Sequence, residues 1–230
     1  MRLSVLRRTL LLALMFGTMP ASARAQLFDT DRDFSRDRGF LVAKGTMLSQ
    51  GEGYVSALIP GTIGVTYGLT DRITVQGGTV WWTLFYDAFA GIASARLGVL
   101  QLPELQVAVG GFGLVVFDDR DAEAAGWPFI TATAGTSRLN VTGLVGVGSS
   151  TGIIDEDFNG SALVQGGAEL MVVPGVKLLA EGVWLGRDSD AVVGGGIRLF
   201  SSRVLLEVGV GVEASRGDYV LPWAALAYHW

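Results

Sequence analysis

The chain has no cysteine. A disulfide framework, a thiolate metal site and a cysteine nucleophile are therefore excluded. Histidine is almost absent as well: His229 stands alone, one residue from the last. Hydroxyl nucleophiles usually need a base beside them, so no enzymatic activity is expected. No basic cluster offsets the acidic residues, and 17 Lys and Arg face 22 Asp and Glu. Nucleic-acid binding rests on neutralising phosphates and does not suit that balance. The glycine runs near Gly110 and Gly194 lack the strand-to-helix setting of a nucleotide site, and no G-x-x-x-x-G-K is present. No cofactor is expected. Beyond residue 25 there is also no apolar run of the ~20 residues that a spanning helix needs.

What is there begins with a leader. Arg2, Arg7 and Arg8 accompany a short apolar run over 9–19, and Ala23-Arg24-Ala25 has the form of a cleavage site. About eleven apolar residues are too few to cross a bilayer, so 1–25 is expected to be a cleaved export signal. Its removal takes away four arginines. That leaves 13 of the 17 basic residues against 22 acidic ones, a net charge of −9. From 26 to 38, Asp and Arg alternate with little apolar content. Such a stretch cannot bury enough surface to order itself, and a flexible tail is expected there.

Half of the residues are hydrophobic and 33 are glycine. Glycine costs about 1 kcal/mol per residue in a helix relative to alanine, so strands are the better reading. Apolar and polar residues alternate at period two in about twelve segments: 39–48, 54–67, 72–85, 89–100, 105–117, 129–138, 141–149, 161–173, 176–186, 191–200, 204–214 and 219–230. Pro60-Gly61 interrupts the second, so ten or fourteen strands remain open. Connections alternate between tight turns, such as Pro174-Gly175, and longer acidic loops, such as 150–160. In the segment from Val204, Val204, Leu206, Val208, Val210 and Val212 share one face, opposite Arg203, Glu207 and Glu213. One continuously apolar face beside one charged face suits a strand with lipid on one side.

The last twelve residues, Y-V-L-P-W-A-A-L-A-Y-H-W, put Val220, Pro222, Ala224, Leu226, Tyr228 and Trp230 on one face. This stretch resembles the closing strand of bacterial outer-membrane β-barrel proteins. The turn Tyr67-Gly68-Leu69-Thr70-Asp71-Arg72 also resembles periplasmic turns of small barrels of that kind. The resemblance implies an all-β, transmembrane, antiparallel up-and-down barrel over 39–230, with the 26–38 tail in the periplasm. It implies location in a bacterial outer membrane, contact with lipid and lipopolysaccharide, and recognition of Leu226, Tyr228 and Trp230 by the barrel-assembly machinery. The strand from Gly39 is the expected partner of the last. Aromatic belts are expected near the outer strand ends (Trp81, Trp82, Phe85, Phe89, Trp127, Phe129, Trp184, Tyr219, Trp223) and the inner ones (Phe40, Tyr67, Phe200, Tyr228, Trp230).

The polar face holds the candidate site. Counted from the tight turns, Arg96, Glu169, Glu181, Arg198 and Glu207 fall in one layer of the lumen, with Glu169 beside Glu181 and Arg198 between Glu181 and Glu207. Gln165 lines the same face. Such a layer either sets the selectivity of a narrow pore or closes the lumen as a salt-bridged network. Lumen-facing glycines (Gly78, Gly146, Gly148, Gly167, Gly194, Gly196, Gly209, Gly211) are expected to leave space. Asp155, Asp157 and Asn159 match the opening of a calcium loop, but its twelfth position is Gly166 instead of a bidentate glutamate, so no metal site is expected. Three functions fit: a small channel or passive transporter, a closed structural or surface-interaction barrel, and a soluble exported ligand-binding β-barrel.

Overall fold

The computed structural model describes residues 36–39, 43–59, 61–80, 89–117, 122–151, 161–186, 190–214 and 220–230. The leader, the calcium-loop candidates Asp155, Asp157 and Asn159, and Phe40, Trp81, Trp82, Phe85 and Tyr219 lie outside them.

The described residues contain thirteen strand segments: β1 (Gly53–Ile59), β2 (Thr62–Thr70), β3 (Ile73–Val80), β4 (Phe89–Leu102), β5 (Leu105–Phe117), β6 (Ala122–Gly135), β7 (Leu139–Val147), β8 (Ser149–Thr151), β9 (Ala162–Val173), β10 (Val176–Leu185), β11 (Asp190–Phe200), β12 (Val204–Glu213) and β13 (Val220–His229). β8 continues β7 past Gly148 and stays paired to β6. The thirteen segments therefore make twelve staves, each antiparallel to the next. β13 closes on β1, with Tyr54 opposite His229 and Ile59 opposite Ala224. The result is the expected all-β, closed antiparallel barrel of twelve strands.

The alternation read in the sequence becomes the two surfaces of the wall. Along β12, Leu206, Val208 and Val210 are 41–48% exposed, while Leu205 and Glu207 are fully buried. Outward side chains have no protein neighbour and need lipid; inward ones are packed within the lumen. Phe89, Phe117 and Trp184 are exposed near the loop end, and Tyr67, Tyr228 and Trp230 near the turn end. Phe89 and Phe117 lie beside each other across β4 and β5, with ring centroids 6.3 Å apart. Amphipathic rings at both interfaces are a mark of spanning barrels.

Several expectations are corrected. The segment 39–48 is not a stave: its described residues 43–48 belong to no strand beyond one bridge between Arg38 and Ala43. The segment 54–67 is two staves, because β1 ends at Ile59, β2 starts at Thr62 and the two pair antiparallel through Ala57 and Ile63. The count of twelve thus survives on a different partition, and the partner of the last strand is β1. β6 starts at Ala122, seven residues before its expected start, and continues a ladder with β5 to Phe117. Trp127 and Phe129 consequently sit within the wall and face inward, with Phe129 only 9% exposed.

Trp223 and Phe200 are also inside, at 6% and 2% exposure, and leave the belts. The physical reason for Trp223 is a flat bed of glycine. Its indole lies where a Cβ on Gly194 would stand 2.7 Å from the ring, and Gly209 and Gly211 border it too. The room left by these glycines is filled by an aromatic ring. Gly146 and Gly167 likewise abut Phe129 and Glu181. Replacing Trp223 by Ala should lower unfolding stability by about 3 kcal/mol, the usual cost of an emptied aromatic site. Gly209→Val should destabilise as well, because the new side chain meets the ring. Denaturant titration of the folded barrel checks both.

Candidate functional site

The lumen at the turn end is occupied by the chain ahead of β1. Asp37, Lys44, Met47 and Leu48 are all buried. Residues 43–48 belong to no strand, and beyond the Arg38–Ala43 bridge their backbone polar groups need other partners. Wall side chains supply them. The Gly45 N–H donates to Thr133 Oγ1 at 3.0 Å, and the Leu48 N–H donates to Thr74 Oγ1 at 3.1 Å. Thr131 Oγ1 donates to the Ala43 carbonyl at 2.7 Å, and Gln101 Nε2 to the Gly45 carbonyl at 3.0 Å. Leu48 then packs with Tyr54, Phe200, Leu205 and Ala227 in a small apolar cluster. Part of the expected free tail, 36–38, belongs to this plug as well.

Charge ties the plug to the wall. Lys44 Nζ lies 2.6 Å from Glu169 Oε1. The same carboxylate takes Arg198 Nη1 at 2.9 Å and Lys177 Nζ at 3.1 Å. Arg198 Nε reaches Glu207 Oε2 at 2.8 Å across the β11–β12 pair. On the other side of the plug, Arg96 Nη2 meets Asp37 Oδ2 at 2.8 Å, and its Nη1 donates to the carbonyls of Asp37 and Lys44. The Tyr54 hydroxyl completes the hold on Asp37 at 3.3 Å. Buried charges among the described residues balance, Lys44, Arg96, Lys177 and Arg198 against Asp37, Glu169, Glu181 and Glu207. Charges this dry survive only when paired.

The structure places the residues of the expected layer as follows. Arg96, Glu169, Glu181, Arg198 and Glu207 are all buried on the lumen side. Arg198 stands opposite Glu207 as expected, but its other cross-strand neighbour is Lys177, and Glu181 stands opposite Gly194. Asp37, Lys44 and Lys177 were not singled out in the sequence. Lys177 had a signal, being on the charged face of its strand. Lys44 and Asp37 had none, because a wall strand and a free tail were the local readings. Gln165 lies apart, one level toward the loops. Leu226, Tyr228 and Trp230 are all on the outer surface, 48–55% exposed.

Two cavities flank the plug. One, of about 600 Å³ at the turn end, is lined by Lys44, Thr46, Met47, Leu48, Gln101 and Gln106 among others. The second, of about 270 Å³, is lined by Ala43, Phe112, Trp127, Phe129, Leu144, Leu163, Gln165 and Val183. Adjacent residues of one segment, Ala43 and Lys44, thus border opposite cavities.

Comparison with solved structures shows what this architecture is similar to. The KdgM porin superposes with a TM-score of 0.55 at 8% identity, covering 78% of this chain and 96% of that one. The KdgM porin in complex with disordered oligogalacturonate gives 0.51 at 8% identity, over 77% and 95%. The outer membrane phospholipase A from Escherichia coli gives 0.44 at 8% identity, over 82% and 98%. No family model matches the chain, and no curated protein matches it. The fold is that of an outer-membrane β-barrel, resembling the KdgM porin.

Glu169 is the hub of the network, so its charge carries most weight. Glu169→Gln should cost about 3–5 kcal/mol, as expected when a buried ion cluster loses one partner. Lys44, Lys177 and Arg198 would then face one another. Urea midpoints of the two barrels in the same lipid check this; an unchanged midpoint would remove Glu169 from its central place.

Proposed function

We propose that the protein is a bacterial outer-membrane channel or passive transporter for a small solute, held closed by its own N-terminal segment. The observation that carries this reading is the position of the plug. Two lumen cavities lie on either side of it, and the residues that separate them belong to a tether that is not part of the wall. Eight-stranded barrels fill their interior with wall side chains. Twelve strands leave room, and here a separate segment fills it. A segment held by side-chain contacts can leave without opening the wall ladder. The porin fold of the structural neighbours offers a precedent for solute passage through such a barrel. No enzymatic activity is part of this reading, and the barrel-assembly machinery and lipopolysaccharide are its envelope partners.

The tether has a defined hinge. Gly51 has φ of +85°, a conformation that suits glycine. Glu52 clamps the plug exit: its carboxylate accepts the Ser49 N–H at 3.0 Å and lies 3.3 Å from the Arg36 guanidinium. Partial burial works against the charged form of Glu52. The Ser49 bond and Arg36 outweigh it and hold the carboxyl below its ordinary 4.5. A carboxyl lowered in the folded state stabilises the clamp above the ordinary value, and that contribution is lost as pH falls below it.

Planar-bilayer conductance tests the gate. Asp37→Asn combined with Lys44→Met should raise open probability by at least an order of magnitude, since both ionic anchors are gone. The wild type should open more as pH falls below 4.5, and Glu52→Gln should flatten that response. Because the sequence has no cysteine, a Thr46→Cys and Gln106→Cys pair joined by a short bifunctional thiol reagent is a clean lock; Thr46 Oγ1 and Gln106 Oε1 lie 3.4 Å apart. Equal, negligible conductance in all variants would favour a permanently closed structural barrel, the reading that the balanced ion network supports.

We also propose that the outward row Leu226, Tyr228 and Trp230 is the assembly signal. Trp230→Ala should reduce the yield of heat-modifiable barrel in membranes while leaving conductance per inserted molecule unchanged.

A further inference from the structure

The cavity on the loop side of the plug differs in chemistry from everything beneath it. Below, the lumen is ionic. Above, the walls are Phe112, Trp127, Phe129, Leu144, Leu163 and Val183, with Ala43 of the plug also on the lining. Phe129, Leu144 and Leu163 form a buried apolar cluster of their own. Phe112 and Trp127 are held side by side with centroids 5.4 Å apart. Gln165 is the one polar aliphatic side chain on the lining, and among the described residues its amide has no hydrogen-bond partner.

We infer that this cavity is a binding site for a small, uncharged aromatic molecule carrying one hydrogen-bonding group, which Gln165 engages. Three arguments converge. A charged solute would lose its water here without gaining a counter-charge, at a large cost. A sugar would leave most of its hydroxyls unpaired against aromatic and aliphatic walls, each at a cost of desolvation. An aromatic ring, by contrast, finds ring faces and edges to pack on. Size agrees. An apolar cavity of about 150 Å³ accommodates benzene, so about 270 Å³ suits one or two fused rings. A convergent polar group in an otherwise apolar pocket is the usual plan of a small-molecule site.

The site is also coupled to the plug. Ala43 lines the cavity, and its carbonyl accepts from Thr131 Oγ1, one of the wall contacts that hold the plug. A ligand large enough to press on Ala43 therefore acts on the gate from the loop side. The assignment of this ligand as the transported solute rests on the channel reading; the binding site itself does not.

The test uses the full-length barrel in lipid nanodiscs, with 2-naphthol as probe and tryptophan quenching as readout. Trp127 lies in the site. Saturable quenching is expected in the wild type, with affinity at least tenfold weaker in Leu144→Phe and in Val183→Phe, which fill the cavity from different strands. These variants also correct for partition of the probe into lipid. Gln165→Leu should weaken 2-naphthol about fivefold, in keeping with one lost hydrogen bond, and leave naphthalene unchanged. Heat-modifiable mobility verifies each variant, and if one filled variant fails to fold the other decides. Equal quenching in wild type and filled variants, or quenching that never saturates, overturns the site. Equal loss of both probes in Gln165→Leu overturns the role of its amide. Binding without 2-naphthol flux through the plug-released barrel in liposomes sinks the channel reading alone. Flux without saturable binding sinks this inference alone.

Discussion

A backbone in hydrocarbon has no water to pair with, so every peptide group must find a partner in the protein. The β1–β13 seam satisfies that constraint, and the rest of the molecule follows from it. Closure by antiparallel neighbours makes one face of each strand outward and the other inward. Outward positions become Val, Leu, Ile and aromatic; inward positions are free to carry charge. Closure at twelve strands also sets a width. That width is too large for wall side chains alone to fill, and the plug answers it.

The plug is held by the logic that governs the wall, with the partners exchanged. An extended segment inside a barrel has no neighbouring strand, so hydroxyls and an amide from Thr74, Thr131, Thr133 and Gln101 stand in for a ladder. Lys44 and Asp37 add one ionic anchor each, to Glu169 and Arg96. These contacts, with the apolar cluster around Leu48, run from side chain to plug and lie outside the wall's own ladder. The wall, by contrast, is held by hydrogen bonds along every strand. The two parts therefore differ in how they come apart, which is what a gate within a rigid frame requires.

Division of the lumen into an ionic floor and an aromatic upper chamber gives the two halves different chemistry. The floor neutralises itself, four cations against four carboxylates, and offers no net field to steer a charged solute. The chamber offers packing surface and one amide. For the proposed ligand, recognition by fit and desolvation suits that chamber better than recognition by charge. The plug joins the two, since neighbouring residues of it touch both.

Period-two alternation, the absence of any long apolar run and the aromatic last strand were enough to determine the barrel, its lipid face and the inward place of Arg96, Glu169, Glu181, Arg198 and Glu207. These depend on local pattern, because a strand's two faces are set by its own pleat. The partition of the strands was not legible to the same degree. Residues 39–48 alternate like a stave, and only tertiary packing put 43–48 inside, because the seam closed on β1 once the chain reversed between β1 and β2. Trp223 and Trp127 looked like girdle residues from their position along the chain. Their inward aim depends on strand register and on the glycines of neighbouring strands. The hub at Glu169 gathers Lys44, Lys177 and Arg198 from three separate stretches of chain. Sequence alone placed the charges on the right face; which charge meets which was decided by closure, width and the segment that fills them.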